Sequence, residues 1–282
     1  MGQTPGLNSE DIASYDRDGV VCLRGVFDER WIDLLRAGVE RNLREPGRYA
    51  KRYTPEGQPG MFFGDYCNWD RIPEYRAFFY ESPAREAAGA LMRSSKVYLY
   101  HEHVLVKEPG TREKTPWHHD QPYYPVDGNH IVSLWIPLDP VSRDTTVEFL
   151  AGSHRSGKWY QPQRFADAKT HQNIDVRFEQ PPDVDRARDQ FTILGWALEP
   201  GDCLAFHGLT VHGAPGNAST DRRRAFSARF TGDDARFVLR DGFMSPPPPE
   251  SGGPCVGASM DSDAFPVIWR RTEWGSQEFT TE

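Results

Sequence analysis

From residue 97 onward the chain consists of short runs of β-branched and aromatic residues cut by turn residues. That texture confines the core to sheet. Val97-Tyr-Leu-Tyr-His-Glu-His-Val-Leu-Val106, Ile131-Val-Ser-Leu-Trp-Ile136, Phe191-Thr-Ile-Leu194, Cys203-Leu-Ala-Phe206 and Ala225-Phe-Ser-Ala-Arg-Phe230 are the runs. Such residues suit a pleated, half-buried surface. Pro109-Gly110, Asp127-Gly128-Asn129 and Pro200-Gly201-Asp202 punctuate them. Many short strands joined by Gly/Pro turns predict a sandwich or barrel.

The segment before residue 94 predicts helices. Ser9 is placed to cap a short helix through Ile12 and Tyr15, and Gly19 to Leu23 reads as a strand. Asp28 caps a longer helix, in which Ile32, Leu35, Val39 and Leu43 recur on one face until Pro46-Gly47. Ser82-Pro83 starts another, with Pro at its first position, carrying Ala87, Ala88, Ala90, Leu91 and Met92. Gln161 to Arg188 is a polar insertion between strands, and a loop of that length suits a lid. Pro246 to Pro249 with Ser251-Gly252-Gly253 reads as a surface loop, and Phe265 to Trp274 as a tail packing back on the sheet. The expected organisation is one domain: a helical part over about 9–93, a β core over about 94–240 and an extension over 241–282.

With a net charge of -8 and a pI near 5.6, the chain lacks the positive footprint of a nucleic-acid binder. Cys22, Cys67, Cys203 and Cys255 are widely spaced and form no CxxC pair, which fits isolated thiols in a reducing compartment. Met1-Gly2 lacks the Ser or Thr at position six that a myristoylation signal needs, because Gly6 stands there. No apolar signal segment or membrane-length run is visible, so a soluble cytoplasmic protein is expected.

The chemistry concentrates in Thr115-Pro-Trp-His-His-Asp-Gln-Pro122. On a strand, residues i and i+2 share a face, so His118 and Asp120 project together. An imidazole and a carboxylate can fill two cis positions of one octahedral metal. A distant histidine completing the face would leave three sites open, as in non-haem Fe(II) oxygenases. A bare HxD arises often by chance, so a second half is required. His212 at the start of a strand, eleven residues before Arg223, supplies it; His207 competes as the ligand. A guanidinium at Arg223 could grip the far carboxylate of a diacid through two parallel hydrogen bonds.

Taken in order, several stretches resemble the phytanoyl-CoA dioxygenase family. They are Asp18 to Gly25, Val106-Lys-Glu-Pro-Gly110, Trp117-His118-His119-Asp120-Gln121, Gly152-Ser-His-Arg155, Gly201-Asp202, His212-Gly213, Asn217 and Arg223-Arg224-Ala225. The resemblance implies a double-stranded β-helix (jelly-roll) core under a helical layer. It implies Fe(II) on His118, Asp120 and His212, 2-oxoglutarate held by Arg223, and O2 as co-substrate. The implied activity is hydroxylation of a C–H bond of a small-molecule metabolite, with succinate and CO2 released. Asn217 and Arg223 at family spacing favour His212 over His207. A carboxylate at Asp120 argues against the halogenating relatives, which have a small residue there. His119 and Val147-Glu148-Phe149 depart from the common pattern.

Lys107 and Ser133 are further candidates for holding 2-oxoglutarate. Arg222 and Arg224 fall on the opposite strand face and are expected to be solvated or paired. His154 and Arg155 read as a structural turn. Tyr98, Tyr100, Tyr123, Tyr124, Phe62, Phe63 and Trp69 read mostly as packing, with some able to form a substrate wall. Two rivals remain. His101, His103 and Glu108 match an HxH-and-Glu pattern found in cupins, giving a metalloenzyme without 2-oxoglutarate. The other is a non-catalytic jelly-roll binding protein.

Overall fold

The computed structural model describes residues 7–165, 169–171 and 175–271. The N-terminal half contains α1 (Ser9–Asp18), β1 (Val20–Leu23), α2 (Glu29–Arg44), β2 (Lys51–Arg52), β3 (Phe62–Tyr66), α3 (Pro73–Glu81), α4 (Ala84–Met92) and β4 (Lys96–Lys107). There follow β5 (Thr115–His118), β6 (Val126–Asp127), β7 (Ile131–Pro137), β8 (Glu148–Leu150), β9 (Ile193–Leu194) and β10 (Cys203–His207). The remaining strands are β11 (His212–Ala214), β12 (Arg223–Thr231), β13 (Arg236–Phe237) and β14 (Val267–Arg270).

The large sheet runs β1-β10-β7-β12-β4-β3-β2, with β14 also paired to β4; the smaller one runs β5-β11-β8-β9. The pairings are antiparallel. The result is a jelly roll, and the alternation of its central strands explains why it is two-faced. Along β12, Phe226, Ala228 and Phe230 join the core under the helices, while Arg223, Ala225, Ser227 and Arg229 line a cavity between the sheets. Along β4, Val104 and Val106 face the helices, while His101, His103, Leu105 and Lys107 face the cavity. A period of two therefore separates packing residues from chemistry on the same strand.

Helices α2, α3 and α4 cover the outer face. Trp31, Ile32, Leu35 and Val39 of α2 are buried there with Tyr75, Phe78 and Phe79 of α3. The rings of Tyr75, Phe78 and Phe79 surround Phe226, with centroids 4.8, 5.4 and 6.0 Å away. Gly38 is required by this packing, because a Cβ would stand 2.5 Å from the Tyr75 ring.

Some expectations shift. Helix α1 is capped by Asn8 rather than Ser9: the Asn8 side chain accepts from Glu10 and Asp11 amides, and Asp11 reciprocates. Pro83 occupies the N-cap of α4, one residue earlier than its expected place inside the helix. Helix α3, opened by Pro73, was not anticipated, and the Phe191–Leu194 run narrows to Ile193–Leu194. Strand β14 does return to pair with β4, whereas 272–274 of the expected tail lie outside the described residues. Arg222 and Arg224 are paired as expected, Arg222 with Glu108 and Glu40, Arg224 with Asp139 and Glu40. His154 and Arg155 bond the carbonyls of Asp16 and Arg17, tying their turn to the end of α1. The four cysteines are free. Among the described residues no helix is long and apolar enough to cross a membrane.

Candidate metal centre

Strand β5 ends on His118 and β11 opens on His212, and the two are register partners, with ring centroids 4.3 Å apart. Asp120 does not continue the strand. It heads a 3-10 turn over Gln121–Tyr123, so the turn rather than strand alternation brings its carboxylate beside His118. One ligand atom from each residue lies within 4.8 Å of the others, and all three side chains are buried. Asp120 Oδ1 stands 3.5 Å from His118 Nε2 and 3.8 Å from His212 Nε2. Cis ligands at ~2.1 Å from a metal would be ~3 Å apart, so a small convergence closes the site.

The ring orientations are set by backbone. His118 Nδ1 donates to the Pro116 carbonyl at 2.7 Å, and His212 Nδ1 donates to the Thr210 carbonyl at 2.9 Å. A carbonyl only accepts, so each Nδ1 carries the proton and each Nε2 keeps its lone pair for a metal. Burial pushes His212 down to about 3, so this ring stays neutral at physiological pH.

Asp120 is opposed by a charge that sequence reasoning missed. Burial alone would raise its carboxyl, but the Arg229 guanidinium opposes this and the carboxyl is held well below the usual range. Arg229 Nε donates to Asp120 Oδ2 at 3.3 Å and to the Tyr124 hydroxyl at 2.5 Å. Ser133 Oγ donates to the same Oδ2 at 3.2 Å. Oδ2 is thus engaged, and Oδ1 is left facing both Nε2 atoms. Arg229 lies six residues after Arg223 on one strand, so parity alone could have placed both on the inner face.

The centre opens into a cavity of about 370 Å³. Arg223 and Lys107 are register partners and both line it. Arg223 is 7% exposed and donates to the Thr145 carbonyl, and burial lowers its guanidinium to about 10. Lys107 Nζ donates to the Glu113 and Pro215 carbonyls, both at 2.9 Å, and sits over the Phe62 ring. Among the described residues no carboxylate pairs with either cation. Ser133 bonds the Asp120 carboxylate and is absent from the cavity wall.

The cupin-like alternative does not assemble. Glu108 turns away to pair with Arg222, and His118, Asp120 and His212 are the one such ligand group among the described residues. His101 and His103 line the cavity instead. His207 accepts from the Leu209 amide, leaving His212 as the histidine in the triad.

Described residues of the long insertion reach this cavity. Phe165 packs 5.0 Å from the His118 ring, centroid to centroid, and Gln163, Arg164 and His171 also line the wall. Its attachments surround the metal strand. His119 Nε2 accepts from the Tyr160 amide, Trp117 Nε1 donates to Asp185, and Arg188 pairs with Glu148. The Tyr123 hydroxyl both donates to the Gln163 carbonyl and accepts from the Gln163 amide. Phe243 and Ser245, which precede the expected surface loop, also line the cavity.

A jelly roll with two imidazoles and one carboxylate meeting at its mouth is the scaffold of the non-haem iron oxygenases. The profile of the phytanoyl-CoA dioxygenase (PhyH) family matches residues 15–225, and the chain belongs to that family. It is 28% identical over 151 residues to peroxisomal phytanoyl-CoA dioxygenase of Bos taurus, a match covering 52% of this chain and 43% of that protein. The chain thus spans under half the length of that relative. It is 24% identical over 238 residues to the 1-deoxypentalenic acid 11-beta-hydroxylase of Streptomyces arenae, covering 77% of this chain and 78% of that one. The crystal structure of the epimerase SnoN with Fe3+, alpha-ketoglutarate and nogalamycin RO superposes with a TM-score of 0.72 at 21% identity, covering 92% and 98% of the two chains.

Proposed function

We propose that the protein is an Fe(II)- and 2-oxoglutarate-dependent dioxygenase that hydroxylates a C–H bond of a small-molecule metabolite, releasing succinate and CO2. The observation that carries this reading is the pairing of a buried, backbone-oriented His118–Asp120–His212 face with an acid-free guanidinium at Arg223 in one cavity. 2-oxoglutarate offers a group for each end: its keto acid would lie toward the metal face and its far carboxylate would meet Arg223. When bound, the metal would supply O2 activation coupled to decarboxylation of the co-substrate. His118 and His212, each held through Nδ1, turn Nε2 toward the metal position, and Asp120 brings one negative charge already ionised. Arg223 orients the co-substrate, and Lys107, its cross-strand partner, lies at the same end, where burial and the Arg223 charge lower its ammonium well below the ordinary value. The insertion carrying Phe165 shields the metal face from water. Asp120 leaves no ligand position for a halide, which supports hydroxylation over halogenation.

Anaerobic calorimetry of the Fe(II)-loaded protein with 2-oxoglutarate tests this. Arg223→Gln is expected to weaken binding by ~2 kcal/mol or more, ~30-fold, as when one partner of a buried charge pair is truncated. Unchanged affinity in that variant would favour a binding protein without the chemistry. Isotopically labelled O2 appearing in both succinate and the organic product checks the hydroxylation itself.

A further inference from the structure

The wall formed by β4 and β12 carries polar atoms that neither the metal face nor the Arg223 end uses. His103 and Ser227 are register partners, and His101 lies one step along, opposite Arg229. His101 Nδ1, His103 Nε2 and Ser227 Oγ are each buried without a hydrogen-bond partner, and all three residues line the cavity. Buried polar atoms are nearly always paired, and one left unpaired is costly. Three on adjacent positions of one cavity wall call for a partner that enters the cavity.

The chemistry of that partner follows from these groups. Burial keeps both rings uncharged: His101 falls well below its ordinary value, and His103 is pushed down to about 3. A neutral imidazole offers one donor and one acceptor, and a serine hydroxyl offers both. This suits a hydroxyl or carbonyl rather than a carboxylate or phosphate, which needs donors and a counter-charge. Arg229, opposite His101, is already committed to Asp120 and Tyr124; Lys51, Arg52 and Arg164 also line the cavity, and a carboxylate probe reads whether they supply a counter-charge. The cavity is otherwise aromatic. Tyr53, Tyr66, Tyr123, Phe165 and Phe243 line it, with Tyr66 beside His103 on the neighbouring strand, a setting for a flat ring.

We infer that His101, His103 and Ser227 form a substrate-orienting subsite, and that it takes an uncharged, hydroxyl- or carbonyl-bearing ring compound. This rests on the metal and 2-oxoglutarate reading above and names the substrate class for that same site. The test uses the full chain loaded with Fe(II) and 2-oxoglutarate under argon. Three matched probes are titrated with calorimetric and ligand-observed NMR detection: naphthalene-2,7-diol, 2,7-dimethylnaphthalene and naphthalene-2-carboxylate. The diol is expected to bind at least ~10-fold more tightly than the dimethyl compound and the carboxylate. His101→Phe and His103→Leu are expected to erase that preference. His103→Gln, which keeps a donor and an acceptor, is expected to retain much of it. Folding is checked by the thermal midpoint, and the readings are separated by Co(II) and 2-oxoglutarate affinities, which the variants should preserve. Loss of 2-oxoglutarate binding by the unaltered protein would sink the earlier reading. Equal binding of the three probes, preference for the carboxylate, or no binding of the diol would overturn the subsite with that reading intact. So would a loss of 2-oxoglutarate affinity confined to the His103 variants, which would hand those atoms to the co-substrate.

Discussion

At the residue scale, the centre depends on how one carboxylate divides its two oxygens. Asp120 Oδ2 is occupied by Ser133 and Arg229, and Oδ1 faces the imidazoles. Partners of this kind orient ligands, and their loss commonly costs ~10–100-fold in metal affinity. Ser133→Ala is therefore expected to weaken Co(II) binding ~10-fold while leaving 2-oxoglutarate affinity nearly unchanged. Isothermal titration of each ligand decides this; the opposite split would make Ser133 a co-substrate residue. The HxD spacing and the His212-to-Arg223 interval are readable along the chain, because each is a separation within one short segment. Arg229 was overlooked because an arginine in a strand reads equally as a surface charge until its acid partner, 109 positions away, is known.

At the element scale, β12 performs two tasks on alternate residues, and its two faces are expected to respond differently. Phe226→Ala removes a ring packed against Tyr75, Phe78 and Phe79, and should cost ~3–5 kcal/mol in denaturant unfolding. The insertion over the cavity is held at its near end by the reciprocal Tyr123–Gln163 bonds. Tyr123→Phe removes both, so faster amide exchange around Gln163 is expected by mass spectrometry, with little change in the exchange of β12. The insertion's length and polarity made a long loop legible. Its attachments were not, because Trp117–Asp185 and His119–Tyr160 join segments unrelated by any local pattern.

For the whole molecule, buried histidines make stability depend on pH. Burial pushes His103 and His212 down to about 3, and His119 and His207 to about 4. Their unfolded counterparts titrate near ~6.5. Between those values the unfolded chain binds protons that the native fold refuses, so stability is full above ~6.5 and falls as pH drops toward 4. Urea midpoints taken from pH 7.5 downward should decline across that window. A metal bound only by the native state should offset part of the loss. At a free concentration 100 times its Kd it would add ~2.7 kcal/mol, removable by a chelator.

Local regularities along the chain were enough to announce a sheet core under helices, the His118–Asp120 pair, the competition between His212 and His207, and a cation suited to a diacid. These depend on spacings of a few residues, where alternation and turn chemistry act directly. Tertiary structure decided what depends on distant pairing. The register of β11 against β5 sets two imidazoles side by side, and that of β12 against β4 sets His103 opposite Ser227 and Arg223 opposite Lys107. Register is fixed by burial of one whole face against another, a collective energy that no short segment carries alone.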